Sequence, residues 1–168
     1  KRYFSFAIFS SAETLTALGD LDLLVRLGVT FIWIGVESKK EIYEKNRGID
    51  FHQLIAELQR RGIAVMASAI LFLEDHDQKT IWDDIEFATS LKADYLQFMQ
   101  LGPIPGTTLY RNYEQAGKLL ADAPLHTQHG QKNIWCRHEH FTPEESNEYL
   151  QRAFRFDYEK NGPSLLRA

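Results

Sequence analysis

Four apolar runs at an even pitch constrain this 168-residue chain more than any other feature. They are Tyr3–Phe9, Thr30–Val36, Ile63–Phe72 and Asp94–Leu101, each rich in aromatic or β-branched residues or nearly all apolar. Such runs read as strands, and near-continuous apolar character is what a parallel strand shows when both its faces are covered. The pitch is roughly 30 residues, the length of one βα unit, so an α/β fold with a parallel sheet is expected.

The intervening segments carry helix signals. Asp20 stands before Leu21, Leu24 and Val25, with Gly28 to end the helix. Asp50 precedes Leu54, Ile55 and Leu58, with Gln53 at capping-box spacing and Gly62 as the stop. A third helix is expected from Lys79 to Leu91 and a fourth from Thr107 to about residue 120. Four βα units make half of an eight-unit barrel or two-thirds of a six-unit one. An open doubly wound sheet is the alternative, but no Gly-x-Gly-x-x-Gly joins a strand to a helix.

After residue 121 the texture changes. The stretch from 122 to 141 is polar and holds Pro124, Gly130 and most of the histidines, so it reads as a loop or arm. Thr142-Pro143-Glu144-Glu145 then opens a helix that runs to about Lys160 and stops at Asn161-Gly162-Pro163. The chain is therefore divided into a βα portion, residues 1–121, and a C-terminal loop and helix extension, residues 122–168.

Composition narrows the function. A net charge of -4 and a pI near 5.9 argue against a broad nucleic-acid surface. No apolar run approaches the roughly 18–20 residues of a membrane span. The single cysteine, Cys136, forms no intrachain disulfide, which suits a reducing, cytoplasmic setting. Lys1 and Arg2 precede an apolar stretch, but Ser5, Ser10 and Ser11 interrupt it and no Ala-x-Ala site follows, unlike a signal peptide. Without an initiating Met, the chain is expected to begin inside a domain.

Ligands in parallel α/β folds bind where the strands end. After the second strand stands Glu37, a carboxylate costly to desolvate without a partner. It could accept hydrogen bonds from ribose hydroxyls or an amino group, or simply favour a helix N-terminus. After the fourth strand, Gly102-Pro103-Ile104-Pro105-Gly106-Thr107 makes a rigid turn that can offer main-chain groups to a flat ring, or serve only as a strand-to-helix connection.

In order along the chain, these segments resemble the radical S-adenosylmethionine enzymes. Residues Thr30 to Ser38, with Gly35-Val36-Glu37-Ser38, resemble their Gly-x-Glu-Ser fourth strand. Arg61-Gly62-Ile63-Ala64-Val65 resembles the start of the fifth. Leu96-Gln97-Phe98 through Leu101, with Pro103-x-Pro105-Gly106-Thr107-x-Leu109-Tyr110, resembles the sixth strand and its turn. The tail from Phe154 to Arg167 is similar to the subgroup bearing an N-terminal cobalamin-binding domain. The resemblance implies the third to sixth units of a partial TIM-like barrel. It also implies a protein that binds S-adenosylmethionine, a four-iron four-sulfur cluster and, for this subgroup, cobalamin. By this likeness Glu37 and Ser38 contact the ribose or amino-acid part of S-adenosylmethionine, Gln97 or Gln100 lines the site, and Pro103, Pro105 and Gly106 pass the adenine. No catalytic residue is assigned.

Two departures stand out. The fifth strand is followed by Leu73-Glu74-Asp75-His76-Asp77 instead of Gly-x-Pro, and no Cys-x-x-x-Cys-x-x-Cys is present. Three thiolates are needed for such a cluster. The chain is therefore expected to be an inactive fragment, with cluster ligands and cobalamin domain outside it, and to self-associate through the open edge at Tyr3–Phe9.

Rival readings use other residues. His126, His129, Cys136, His138 and His140 offer zinc-ligand chemistry, although their spacing matches no standard finger. Trp82, Trp135 and Phe141 could form an apolar interaction surface. Glu37, Asp75 and His76 would suit acid–base work in a lyase or hydrolase.

Overall fold

A computed structural model describes residues 3–40, 43–120, 123, 126, 128–132 and 134–168. The boundary expected between residues 121 and 122, and Pro124, lie outside the described residues. Four parallel strands form one sheet in the order β1 (Phe6–Ser10), β2 (Val29–Glu37), β3 (Ala64–Leu71), β4 (Tyr95–Gln100). Among the described residues the order contains no reversal, so these four strands show no topological switch point of the doubly wound kind.

Each crossover carries helix. Helices α1 (Ala12–Leu18) and α2 (Asp22–Leu27) join β1 to β2, α3 (Phe51–Arg60) joins β2 to β3, and α4 (Thr80–Ser90) joins β3 to β4. Helix α5 (Thr108–Gln115) follows β4, and α6 (Pro143–Asn161) closes the chain before a short 3-10 turn, Ser164–Leu166.

The strands alternate, and the alternation decides which face the helices cover. Ile32, Ile34 and Val36 of β2 and Val65 and Ala67 of β3 are buried against Leu15, Leu54, Ile55 and Leu58. Ala69, Leu71 and Phe98 are buried against Ile81, Ile85, Ala88, Leu150 and Ala153. The opposite face carries Phe31, Trp33, Gly35, Met66, Ser68, Tyr95 and Gln97, in register across the strands.

Caps set most helix boundaries. The Asp50 carboxylate accepts from Gln53 N–H, and Thr142 and Glu145 complete the capping box at α6. At α2 the boundary residue is Leu21, one position after the expected Asp20. The Asp20 carboxylate still accepts from Asp22 N–H, the first residue of the helix, and pairs with Arg26, while Leu21 stands at the boundary with no side-chain cap bond. Helix α1 was not expected from the sequence; Ser11 caps it by accepting from Thr14 N–H. Helix α5 ends at Gln115 instead of running to 120, because Gly117 turns at a φ of 63°.

The C-terminal arm is not a solvated loop. Ile134, Trp135, Cys136 and Phe141 are all buried, and Ile134, Cys136 and Phe141 share the second core cluster with Ala69, Leu71 and Phe98. Gln100 N–H donates to Gly130 carbonyl, Leu120 N–H to Trp135 carbonyl, and Arg137 N–H to Lys118 carbonyl, so the arm runs beside β4 and the end of α5. The surface expected from Trp135 and Phe141 is therefore absent: both rings are core. Among the described residues no helix is long and apolar enough to cross a membrane.

Candidate functional site

The site lies at the C-terminal ends of β2, β3 and β4. Strand β2 bulges between Gly35 and Glu37, and Glu37 adopts φ 65°. A non-glycine residue pays strain there, and such strain clusters at functional sites. The left-handed turn folds the carboxylate back over Gly35, where a Cβ would overlap Oε1. Lys45, on the 3-10 turn Glu44–Asn46, donates from Nζ to Glu37 Oε1 at 2.7 Å. The turn is anchored by Asn46, which is buried and donates from Nδ2 to Val36 carbonyl at 2.8 Å. Tyr43 lies next to this pair. Its pKa is held above the ordinary value by burial first and then by the Glu37 and Asp75 charges.

Two cavities meet at Glu37 and Ser68. One, about 430 Å³, is bordered by Phe9, Ser10, Ser11, Trp33, Gly35 and Lys45. The other, about 300 Å³, is walled by Ile70, Met99, Gly102, Ile104 and Trp135, with His129 at its border. The Trp135 ring rests on Gly102 so closely that any β-carbon there would overlap it. Gly130 packs against Met99 in the same way, with an added Cβ 2.8 Å from Met99 Cε. The arm thus forms one wall of the second cavity.

The expected site residues divide. Glu37 borders both cavities. Gln97 faces the same side of the sheet, and its Oε1 accepts from Ser68 Oγ at 3.2 Å. Gln100 borders the second cavity, but its side-chain amide donates to the Lys132 and Ser146 carbonyls and so fastens the arm and α6 to β4. Ser38 is buried, and its hydroxyl accepts from Lys40 N–H. Pro103, Pro105 and Gly106 border neither cavity; Gly102 and Ile104 take that place. The turn also starts α5, since Thr107 Oγ1 accepts from Tyr110 N–H.

The rival residue sets are spent elsewhere. Among the described residues no group of three or more His, Cys, Asp or Glu side chains is placed to hold a metal ion. Cys136 is buried, and burial pushes its thiol up to about 11. His138 accepts His140 N–H at Nδ1 and donates from Nε2 to Leu73 carbonyl. Asp75 binds Lys40 at 2.6 Å, which holds its carboxyl below the ordinary range. His76 is fully buried with both ring nitrogens engaged, so it is not a base facing a substrate.

Sequence reasoning missed Lys45, Ser68, Met99 and Trp135. The alternation of β3 and β4 carried a signal for Ser68 and Met99, which fall on the face opposite the core. Lys45 and Trp135 reach the site from irregular segments, where no periodicity points the side chain. No protein-family model matches this chain, and no curated protein matches it.

Proposed function

We propose that this chain is the C-terminal part, the third to sixth βα units, of a radical S-adenosylmethionine barrel, and that its rim cavity receives the nucleoside of S-adenosylmethionine. One observation carries this reading: Glu37 and the Gly102–Ile104 loop after β4 border a single cavity of about 300 Å³. Four parallel strands in consecutive order, with helices on one face, also suit a segment of barrel wall.

The residues fit a nucleoside. The Glu37 carboxylate can accept ribose hydroxyls through the oxygen that Lys45 leaves free, and Lys45 offsets its charge. Ile70, Met99, Ile104 and Trp135 supply apolar walls for a flat base. The residues do not fit an iron–sulfur cluster, since the one cysteine is a buried, protonated thiol. Cluster ligands and any cobalamin-binding domain belong to sequence outside this chain, and no step through either is assigned to these residues. In the whole protein, in a cytoplasmic setting, such a cluster would supply one electron to S-adenosylmethionine, whose sulfur–C5′ bond would break to give methionine and a 5′-deoxyadenosyl radical.

The parent gene tests this directly. A Cys-x-x-x-Cys-x-x-Cys is expected within about 100 residues upstream, the span of the missing units. The whole protein, purified without oxygen, is expected to show a cluster signal that S-adenosylmethionine perturbs. Absence of the cysteine triplet overturns the reading. For the 168-residue chain, ligand-detected NMR is expected to give roughly millimolar affinity for adenosine and S-adenosylmethionine, because cluster chelation is missing. Micromolar binding of S-adenosylmethionine contradicts it.

A further inference from the structure

Behind Glu37 lies a buried pair that no ligand can reach. His76 and Asp84 are 0% and 1% exposed, and His76 Nε2 stands 3.0 Å from Asp84 Oδ2. The protons can be placed from the neighbours. Leu73 N–H donates to His76 Nδ1 at 3.2 Å, so Nδ1 carries no proton, and Nε2 must donate to the carboxylate. The other carboxylate oxygen, Oδ1, accepts from Lys39 N–H at 2.8 Å. Lys39 is two residues beyond Glu37.

The pair therefore ties three pieces of backbone that are far apart in sequence. Asp84 sits on α4, Leu73 on the loop after β3, and Lys39 on the loop after β2. The tie matters because both strand ends turn through left-handed residues, Glu37 at φ 65° and Phe72 at φ 63°. Such turns persist only where surrounding contacts over-determine them. At Leu73 both backbone groups are held by imidazoles, N–H by His76 and carbonyl by His138. At Glu37 the following N–H groups are held by Val36 carbonyl, Asp84 and Ser38 Oγ in turn.

We infer that His76 and Asp84 are positioning residues for the Glu37 rim, with His76 holding Asp84 so that its carboxylate fixes Lys39 N–H and with it the turn that aims Glu37. This deepens the nucleoside reading, since it names what sets the binding carboxylate in place.

Two substitutions separate position from mere bulk. Glutamine reaches as far as Nε2 and can still donate to Asp84; asparagine reaches only as far as Nδ1 and cannot. In the 168-residue chain, Lys39 amide exchange is expected to be roughly 100-fold slower than in an unfolded peptide. In His76→Gln the exchange and the Glu37, Ser38 and Lys39 amide shifts stay close to wild type. In His76→Asn exchange speeds by about tenfold or more, those three amides shift, and any adenosine affinity falls with them, while β1 amides stay put. Equal disturbance of the rim by both variants, or by neither, overturns the inference. Should His76→Asn fail to fold, wild-type Lys39 exchanging at the unfolded rate overturns it alone. If adenosine does not bind the wild type, the nucleoside reading falls, and the exchange and shift data still decide the role of His76 and Asp84.

Discussion

The carboxylate of Glu37 lies back over Gly35, two residues earlier on the same strand, and occupies space that a β-carbon at position 35 would need. The glycine and the left-handed turn at Glu37 act together. One clears the surface of β2 and the other folds the side chain onto it, where Lys45 meets Oε1.

Gly35→Ala is therefore expected to separate binding from stability. The overlapping atom is the far end of a flexible side chain, so the fold adjusts and the cost in urea unfolding stays within about 1 kcal/mol. The carboxylate must leave its place over β2, and the Glu37–Lys45 pair with it. The check is a crystal structure of the variant beside its unfolding curve. An unmoved carboxylate, or a loss of several kcal/mol, counts against this account of Gly35.

Gly102→Ala should behave in the opposite way. Here the obstacle is the indole of Trp135, a rigid ring that is 5% exposed and fixed between the arm and the loop after β4. The rigid ring can give way only by tilting into the cavity it borders, and that overpacking costs about 1–3 kcal/mol. The arm loosens with it, and the second cavity loses a wall. Unfolding monitored through tryptophan emission, together with faster amide exchange at residues 134–137, checks both parts. Full stability with a native emission spectrum would be the contrary result.

Much of the scaffold was legible in the sequence because both periods were strong. Four strands fell within a few residues of expectation, and Thr142-Pro143-Glu144-Glu145 marked the start of α6. Helix α1 was hidden because Ser11 extends a serine-rich stretch that reads as a break between apolar residues. The burial of the arm was hidden for a related reason. Its polar composition hid Ile134, Trp135 and Cys136, three buried neighbours that follow no helical or strand period. At the site, Glu37 was legible from its place at a strand end. Gln100 was ambiguous in sequence, since the two faces of β4 both carry glutamine; only the register with Leu71 shows its side chain on the α6 side.

Acid should loosen the arm through His138. Its pKa lies below the usual 6.5, first because burial disfavours the cation and then because His140 and Lys118 repel it; the Leu73 carbonyl opposes this in part. With the folded value depressed, the unfolded chain binds more protons between that value and 6.5. Stability is thus full above 6.5, falls as pH drops through it, and levels once the folded value is passed. The slope is less than one proton. His138→Gln keeps a donor for Leu73 carbonyl without the titration, so the wild-type minus variant difference should carry the slope. A flat difference between pH about 7.5 and 5, across the ordinary imidazole range, would remove His138 as its source.

Self-association is expected through β1. This strand pairs only with β2 among the described residues, which leaves its other edge open. On and just before this strand Phe9 is 77% and Phe4 68% exposed, and Phe9 packs at a tilt against Trp33 of β2 with ring centroids 4.7 Å apart. An open edge with large apolar side chains beside it is a template for another strand. Lysine at an edge blocks such pairing by charge and hydration. Sedimentation velocity of the 168-residue chain should therefore show a coefficient that rises with concentration. Phe4→Lys with Phe9→Lys should weaken the association about tenfold, or 1.4 kcal/mol. Because neither ring belongs to the buried core, the double variant should keep its helical circular dichroism, so that a lost association can be assigned to the edge and not to unfolding. A wild-type chain that stays monomeric at high concentration would mean that the edge is protected in a way that its exposed phenylalanines do not suggest.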